Sequence, residues 1–413
     1  MSIRYLVRLI ALTFLSVVMT ACTLSRLEDD LEAGATETYE IDGTVVLFKD
    51  TNQPVMVVAT RNADGSDIYG WRVLTGSGEF NFVSPNEPLY FFAFIDANSD
   101  FVLQEDELFG FSEAALPSEL TGQTIRIAIP DKQTMPAPEA LIEYPLLTRL
   151  GANGNLSFQV GTVTTLDNPV FSLEQAKKGL WEPYSFLFDG VGGVYFLQPY
   201  DKGKTPVLFV HGIDGSPAQF RNIVDRLDRE KYQAWVYYYP SGLSLVTISQ
   251  GLREFIEILG RLYDVDDLHV VAHSMGGLAA KGAINYCVKD VDCAYIKSLQ
   301  TISTPWAGVA SAASGVKWSP TVVPVWRDIE PDSLFIQTLF EAPFPKDTAF
   351  NLIFGFKQDS FLAGSSGDGV IKLNSQLRPE AQEQAASIRG FDEGHVSILS
   401  NEEVIAWLLN NIE

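Results

Sequence analysis

A serine with the surroundings of a nucleophile lies where an apolar strand meets a helix-forming stretch. Residues 268–277 read Leu-His-Val-Val-Ala-His-Ser-Met-Gly-Gly, so Ser274 has a small residue two positions before it and another two positions after it. In a turn tight enough to expose the serine hydroxyl, larger side chains at those two positions would collide with the strand or the helix. The strained turn would also leave the Met275 N–H pointing at a developing oxyanion. The alternative is a glycine-softened loop that carries an ordinary solvated serine.

Several segments of the C-terminal half resemble the lipase and esterase branch of the α/β-hydrolases. The run at 272–277 is the variant of the G-x-S-x-G motif with alanine in the first small position, and Val-His-Gly-Ile at 210–213 is similar to a segment of small bacterial lipases. Four further segments resemble theirs: Ser-Thr-Pro-Trp-Ala-Gly at 303–308, Asp-Ile-x-Pro-x-Ser at 328–333, Gly-Asp-Gly-Val at 367–370 and His-Val-x-Ile-Leu-Ser-Asn at 395–401. The resemblance covers residues 180–413, and the wider group includes hydrolases similar to GPI-inositol deacylases. It implies a fold and a catalytic triad but not a substrate, because one fold hosts many chemistries.

The resemblance implies that an acid and then a histidine follow the nucleophile along the chain. The sequence has four histidines, and only His395 comes after Ser274. It lies in a loop just before an amphipathic helix that we predict over 401–409. We therefore predict that His395 is the general base; the alternative is a lone surface histidine.

Three aspartates compete for the role of the triad acid. Asp368 lies in a glycine-rich loop that follows the apolar run 351–356, and a carboxylate at the C-terminal end of a strand suits the acid that orients the histidine. Asp359 and Asp392 are the competitors. We predict Asp368 for this role; the alternative is an ordinary turn aspartate.

The apolar run at 206–210 predicts a buried parallel strand that ends in a His-Gly step. In the hydrolase fold, the loop after this strand supplies the second hydrogen-bond donor to the oxyanion. We therefore assign the two donors to the backbone N–H groups of Ile213 and Met275. His211 in this loop is also compatible with an ordinary strand–helix turn, because it is not the proposed base.

Predicted strands and helices alternate over residues 180–413, which is typical of a doubly wound, mostly parallel sheet and here of the α/β-hydrolase fold. The strands are predicted at 205–210, 233–239, 267–272, 297–302, 350–356 and 384–390, after an opening hairpin over 184–190 and 193–199. An insertion over 304–349 is rich in tryptophan and phenylalanine, and we predict that it caps the site. An apolar cap suits acyl chains or aromatic esters, although these aromatic residues could simply form the core of the cap.

The N-terminal half has a different character. Residues 40–135 contain short alternating or apolar runs separated by Asn, Asp, Gly and Pro, which predicts a small antiparallel β-sandwich. The runs lie at 43–48, 54–59, 79–83, 89–95 and 124–129. Residues 22–39 are predicted to form a polar tether, and residues 136–179 a linker that leads into the catalytic domain at 180–413.

An acidic segment of the predicted sandwich has the spacing of a calcium loop. Four of its residues match the oxygen ligands of an EF-hand loop: Asp96, Asn98, Asp100 and Glu107. Phe101 stands where that loop needs glycine, and a strand rather than a helix precedes it. The segment is compatible both with a structural calcium ion and with a solvated acidic turn, and we predict no cofactor that the chemistry requires.

The first residues have the pattern of an export signal. Arg4 and Arg8 precede an apolar-rich stretch over 9–21, which is short for a membrane-spanning helix. The end of this stretch and the residue after it read Met-Thr-Ala-Cys at 19–22, which resembles the bacterial lipobox, in which the cysteine, here Cys22, is lipidated and becomes the mature N-terminus. Residues 1–21 are then a signal peptide, and the alternative is a single transmembrane anchor. By analogy with sorting in bacteria that have two membranes, Thr23 favours the outer membrane, facing the periplasm or the surface.

The two remaining cysteines, Cys287 and Cys293, lie close together in the sequence. An oxidising compartment would let them form a structural disulfide, and the alternative is two unpaired thiols.

The charge of the chain narrows the classes of partner. A formal net charge of −23 argues against nucleic-acid binding and against attraction to anionic lipid head groups.

From the motifs and the export signal together, we predict a lipid-anchored serine hydrolase that cleaves carboxylic esters, with an ester or lipid as substrate and the membrane reached through the anchor. A peptidase, amidase or acyltransferase would use the same triad. An envelope-binding protein without activity is the other alternative.

Overall fold

The computed structural model describes residues 23–35, 39–51, 53–84, 87–98, 102–120, 123–133, 135–142, 158–290, 295–357 and 366–412. The predicted signal peptide lies outside the described residues, as do five single residues named above: Cys22, Asp100, Phe101, Cys293 and Asp359. In the part of the chain that is described, no helix is both long enough and apolar enough to cross a membrane.

Seven strands form two small sheets in the N-terminal half. They are β1 (Tyr39–Leu47), β2 (Pro54–Thr60), β3 (Ile68–Thr75), β4 (Gly78–Ser84), β5 (Leu89–Ile95), β6 (Phe109–Ala115) and β7 (Ile125–Ile129). The sheet orders are β4-β1-β7 and β3-β2-β5-β6, and one apolar cluster that includes Val45, Val57 and Phe91 contains residues of both sheets. Every pairing is antiparallel except that of β1 with β7, which is parallel and departs from the predicted sandwich.

Eight strands form the large sheet of the C-terminal half. They are β8 (Gln159–Val163), β9 (Gly193–Phe196), β10 (Thr205–Val210), β11 (Tyr232–Tyr238), β12 (Leu268–His273), β13 (Ile296–Ile302), β14 (Ala349–Phe356) and β15 (Ser387–Asp392). Their order is β15-β14-β13-β12-β10-β11-β9-β8, and only β9 and β11 pair antiparallel. The predicted large, mostly parallel sheet is confirmed.

Thirteen described helices accompany these strands. They are α1 (23–35), α2 (Glu139–Ile142), α3 (Leu173–Trp181), α4 (Pro183–Phe188), α5 (Arg221–Val224), α6 (Leu245–Leu262), α7 (Met275–Asp290), α8 (Ala310–Trp318), α9 (Pro324–Ile329), α10 (Leu334–Thr338), α11 (Leu373–Gln376), α12 (Pro379–Gln384) and α13 (Glu402–Asn410).

The large sheet has an apolar core on each face because alternate side chains of a strand point to opposite sides. In β10, Leu208 and Val210 belong to the cluster that contains α6 and α7, whereas Val207 and Phe209 belong to the cluster that contains α5 and α13. Both faces of the sheet are therefore covered, and the carboxyl ends of its central strands are left to carry loops.

The segment predicted to be a polar tether is in fact a helix that packs on the large domain. Leu27 of α1 is fully buried in the core under α6 and α7. The two carboxylate oxygens of Asp30 accept the backbone N–H groups of Tyr184 and Ser185, at 2.9 and 2.8 Å. These groups would otherwise be unsatisfied at the start of α4, so α1 caps α4.

Two other predictions about this region are wrong. The opening hairpin does not form, because residues of its first predicted strand lie in α4, where Pro183 occupies the first turn. Strand β9 pairs with β11 instead. The large sheet also begins earlier than residue 180, since β8 lies within the predicted linker and pairs parallel with β9.

The insertion over 304–349 contains the three short helices α8, α9 and α10. Trp306 is fully buried and packs edge-on against Phe340, and Phe344 stacks on Phe350 of β14. These rings belong to the apolar cluster under α6 and α7, so they pack the insertion onto the large sheet. Trp318, at the end of α8, is 75% exposed.

Candidate active site

Ser274 lies in the one-residue turn between β12 and α7. Its φ of 54° is in the left-handed region, which costs energy for a residue other than glycine and persists only where the surroundings impose it. The Ser274 N–H donates to the carbonyl of Ile302 at the end of β13, at 2.8 Å. The neighbouring strand therefore holds the strained turn in place.

The glycines after Ser274 are required by close approach of other chain segments. A Cβ atom on Gly276 would lie 2.4 Å from the carbonyl oxygen of Val210, and one on Gly277 would lie 2.1 Å from Thr304 Oγ1. A Cβ atom on Gly212 would lie 2.9 Å from the Cβ atom of Ser274. The start of α7 is thus packed directly against the ends of β10 and β13.

His395 connects Ser274 to Asp368. His395 Nε2 lies 2.9 Å from Ser274 Oγ, and His395 Nδ1 lies 2.7 Å from Asp368 Oδ2. The three residues come from three different loops, after β12, after β14 and after β15. In this arrangement the hydroxyl has the geometry of a nucleophile, the imidazole that of its base, and the carboxylate that of the group that orients the base.

The carboxylate of Asp368 is buried and ionised. Burial by itself would raise the pKa of Asp368, but the hydrogen bond from His395 and those from the N–H groups of Val370 and Ile371 outweigh burial and lower the pKa below its usual value. Asp368 Oδ1 accepts these two N–H groups at 2.9 and 2.7 Å, which leaves Oδ2 for His395. The competitor Asp392 lies exposed at the end of β15.

The loop 211–215, which we call the oxyanion loop, approaches Ser274 through Gly212. Within the described residues, the backbone N–H groups of Ile213 and Met275 donate no hydrogen bond to the protein. His211 Nδ1 lies 2.8 Å from the carbonyl of Gly212, and its ring stacks on Tyr239 with a centroid distance of 4.2 Å. Burial lowers the pKa of His211 to about 4, so this histidine is neutral.

Sequence reasoning gave no role to His273, the residue before Ser274. Its side chain is buried, and its Nε2 lies 2.8 Å from the carbonyl oxygen of His395. Its Nδ1 lies 3.4 Å from the amide nitrogen of Gln219. The sequence gives one indication of this contact. A histidine, whose ring has two polar nitrogens, occupies a position that the tight turn leaves buried.

The predicted calcium loop is only partly described. Glu107 uses both carboxylate oxygens within the loop, accepting the backbone N–H groups of Ala97 at 2.6 Å and Gln104 at 3.1 Å. Asp96 is buried, and Asn98 is exposed. Among the described residues, no three acidic, histidine or cysteine side chains form a metal-binding group. The calcium site stays a prediction.

Cys287 is buried in α7. Its predicted disulfide partner Cys293 lies outside the described residues, so the disulfide also stays a prediction.

Part of the chain matches a known family. Residues 201–336 match the family described as "Putative serine esterase (DUF676)". The matched region contains Ser274 and both residues assigned to the oxyanion, whereas Asp368 and His395 lie beyond it. No curated protein sequence matches the chain.

Three solved structures illustrate the likeness of the fold. The mature form of the Bacillus licheniformis lipase BlEst2 is 17% identical with a TM-score of 0.43, over 52% of this chain and 97% of that one. Aspergillus fumigatus lipase B is 16% identical with a TM-score of 0.40, over 51% and 52%. Phospholipase PlaB from Legionella pneumophila is 16% identical with a TM-score of 0.33, over 42% and 45%. Likeness of this extent carries no argument about the substrate.

Proposed function

We propose that this chain is a serine hydrolase that cleaves carboxylic esters through an acyl-enzyme on Ser274. The observation that carries the proposal is the hydrogen-bonded line from Asp368 Oδ2 through His395 to Ser274 Oγ, with distances of 2.7 and 2.9 Å. The serine esterase family matched by residues 201–336 supports the same class of reaction.

In the acylation step, Ser274 Oγ attacks the ester carbonyl carbon while His395 Nε2 takes the hydroxyl proton. The carbonyl electron pair moves onto its oxygen, and the N–H groups of Ile213 and Met275 stabilise this oxyanion. When the tetrahedral intermediate collapses, the bond to the alcohol oxygen breaks and His395 returns its proton to the leaving alcohol. The acyl group is then bonded to Ser274.

In the deacylation step, His395 takes a proton from a water molecule that attacks the acyl carbonyl carbon. The same two N–H groups stabilise the second oxyanion, and the acid leaves as Ser274 Oγ regains the proton from His395. Asp368 stays ionised throughout and stabilises the imidazolium that forms in both steps. Its low pKa and its two backbone hydrogen bonds suit it to this role.

The substrate class that we propose is a carboxylic ester, lipid esters included. We base a preference for an apolar acyl or alcohol group on the aromatic composition of the insertion over 304–349, which the sequence predicts to cap the site. Most of its aromatic rings pack in the apolar cluster under α6 and α7, so they do not select a chain length.

Substitution of the nucleophile tests this function. Ser274→Ala is expected to lower the hydrolysis of p-nitrophenyl esters by about ten-thousand-fold or more, since the alanine cannot form the acyl-enzyme. The wild-type chain is expected to react covalently with a fluorophosphonate probe, and the variant is not. Ser319→Ala, which changes a serine in the insertion, is the matched control and should keep both properties. A series of acyl chain lengths would then separate a lipase from a short-chain esterase.

Two results would contradict the proposal. A probe reaction that Ser274→Ala abolishes, without turnover of any ester, would favour a peptidase, amidase or acyltransferase. A folded wild-type chain that neither reacts with the probe nor hydrolyses esters would favour the envelope-binding alternative.

We also propose that the chain is a lipoprotein of the bacterial cell envelope, anchored through Cys22. Support comes from the lipobox-like Met-Thr-Ala-Cys at the end of an apolar stretch. The described part of helix α1 starts one residue after Cys22 and buries Leu27 in the core, so a lipid on Cys22 would keep the catalytic domain close to the membrane.

Removal of the anchoring thiol tests this location. Cys22→Ala is expected to abolish palmitate incorporation and to shift the protein out of the lipid-anchored membrane fraction, because the acylated residue is gone. Cys287→Ala is the matched control and should keep the label. Palmitate incorporation that survives in Cys22→Ala would contradict the proposal.

A further inference from the structure

The buried side chain of His273 connects the catalytic histidine to the oxyanion loop. Its Nε2 lies 2.8 Å from the carbonyl oxygen of His395, and its Nδ1 lies 3.4 Å from Gln219 Nε2. Because a carbonyl oxygen can only accept, Nε2 carries the proton, and Nδ1 accepts from the Gln219 amide. Both polar atoms of this ring are therefore used, and only one tautomer satisfies them.

The bond from His273 completes the support of the His395 backbone. The His395 N–H donates to the carbonyl oxygen of Asp368 at 3.0 Å, and the His395 carbonyl accepts from His273. The next residue, Val396, is 67% exposed, so this loop has solvent on its outer side. The Gly394 N–H and carbonyl are held by Ser397 and Ile398, whereas the carbonyl of His395 itself is held from the inner side by His273.

The charge of His273 matters because its ring lies 4.8 Å from that of His395, measured between centroids. Burial and the proximity of the His395 ring lower the pKa of His273 to about 3, against the smaller opposing effects of the hydrogen bond to the His395 carbonyl and of Asp368. The remaining titratable neighbour is His211, which is also neutral. At neutral pH, His273 is therefore uncharged and does not repel the imidazolium that forms on His395 during the reaction.

Gln219 extends the connection to the oxyanion loop. It belongs to the 3-10 helix Pro217–Phe220, which follows that loop directly. Its Oε1 lies 3.0 Å from the position that a Cβ atom on Gly215 would occupy, so the amide packs against the end of the loop. The loop that contains His395 is thus connected by two hydrogen bonds, through His273 and Gln219, to the segment that contains one oxyanion donor.

We propose that His273 is a positioning residue that fixes His395 over Ser274 by donating its Nε2–H to the His395 carbonyl, with Gln219 holding the ring in the required tautomer. The inference rests on the proposed function. It assigns a specific role to the variable residue of the turn motif, which otherwise contributes only its backbone.

A pair of variants that differ in one donor group tests this role. His273→Gln places an amide N–H near the position of Nε2, whereas His273→Met has a similar size and shape but no donor. For His273→Met we expect kcat to fall by about 10- to 100-fold with KM within about twofold, because a shift of the base on the order of 1 Å has this cost. His273→Gln is expected to recover most of that loss. Rates are measured on the full chain and divided by the number of sites that react with a fluorophosphonate.

Three results would overturn the inference: wild-type kcat per reactive site in His273→Met, equal losses in both variants, or a change confined to KM. Equal losses would mean that the ring fills space and that its donor has no separate role.

If His273→Met does not fold, Gln219→Met decides the matter. It leaves His273 in place and removes the bond that selects its tautomer, while the methionine keeps a side chain of similar length against Gly215, so kcat should fall by about fivefold with KM unchanged. An unchanged kcat would overturn the inference. Failure of the proposed function is a separate result, since a folded wild-type chain would then form no fluorophosphonate adduct at all.

Discussion

Asp368→Asn is expected to lower kcat by about ten-thousand-fold while leaving the fold intact. The N–H groups of Val370 and Ile371 both point at Oδ1 of this residue, so the amide oxygen of an asparagine must occupy that position. The amide nitrogen then faces His395 Nδ1 as a donor. His395 can satisfy it only by moving its own proton to Nε2, the atom that must accept the proton of Ser274.

The measurement is kcat for a p-nitrophenyl ester, together with the rate of fluorophosphonate labelling. Asp392→Asn and Asp359→Asn are the matched controls, because these residues are the competing acids in the sequence. Both are expected to retain activity within about twofold. A large loss in either control, combined with an active Asp368→Asn, would move the acid to another residue and contradict the assignment.

The sequence alone singles out the three residues that the structure brings together, although their catalytic roles stay a proposal. The small residues around Ser274 follow from contacts that leave no room for a Cβ atom on Gly276 or Gly277. His395 could be selected because the resemblance implies a base after the serine and no other histidine follows it. Asp368 required the additional inference that a glycine-rich loop ends a strand, which β14 fulfils.

Features that depend on contacts between distant segments could not be predicted in the same way. Residues 184–190 are apolar enough for a strand, but Asp30 accepts the first N–H groups of α4 from a position more than 150 residues away. The segment that contains β8 has no apolar run, and its place at the edge of the sheet depends on pairing with β9. The role of His273 depends on a carbonyl group 122 residues further along the chain.

The second large effect that we expect concerns the stability of the fold and not the activity, and it comes from a buried lysine in α7. Lys281 of α7 is fully buried, and its ammonium group donates to the carbonyl of Ala342 at 2.8 Å and to the side chain of Asn285. It also lies 4.5 Å from the ring centroid of Phe344. Within the described part of the chain, no carboxylate forms an ion pair with it. Burial therefore lowers the pKa of Lys281 to about 7.

The direction of the pH dependence follows from this depressed pKa. In the unfolded chain the lysine keeps its usual pKa of about 10.4, so between pH 7 and pH 10 the unfolded state binds one more proton than the folded state. The free energy of unfolding therefore rises with pH in this window by up to about 1.4 kcal/mol per pH unit. The contribution is greatest above the unfolded pKa and is lost as the pH falls through the folded pKa near 7.

Lys281→Met is expected to remove this slope, because the thioether has no proton to exchange. The measurement is the free energy of unfolding in urea at several pH values from 6 to 10, for the wild type and the variant. The difference between them should rise across the window by several kcal/mol, an order-of-magnitude figure. Lys317→Met replaces an exposed lysine and is the matched control, with a curve parallel to that of the wild type.

The comparison isolates Lys281 because the many acidic groups of this chain are common to all three proteins and cancel in the differences. Lys281 and Ala342 connect α7, which begins next to Ser274, to the insertion over 304–349. Below pH 7 the folded state also carries the Lys281 charge, so this group causes no further loss of stability there. Parallel unfolding curves for the wild type and Lys281→Met would contradict this, since they would mean that Lys281 exchanges no proton between pH 7 and 10 on unfolding.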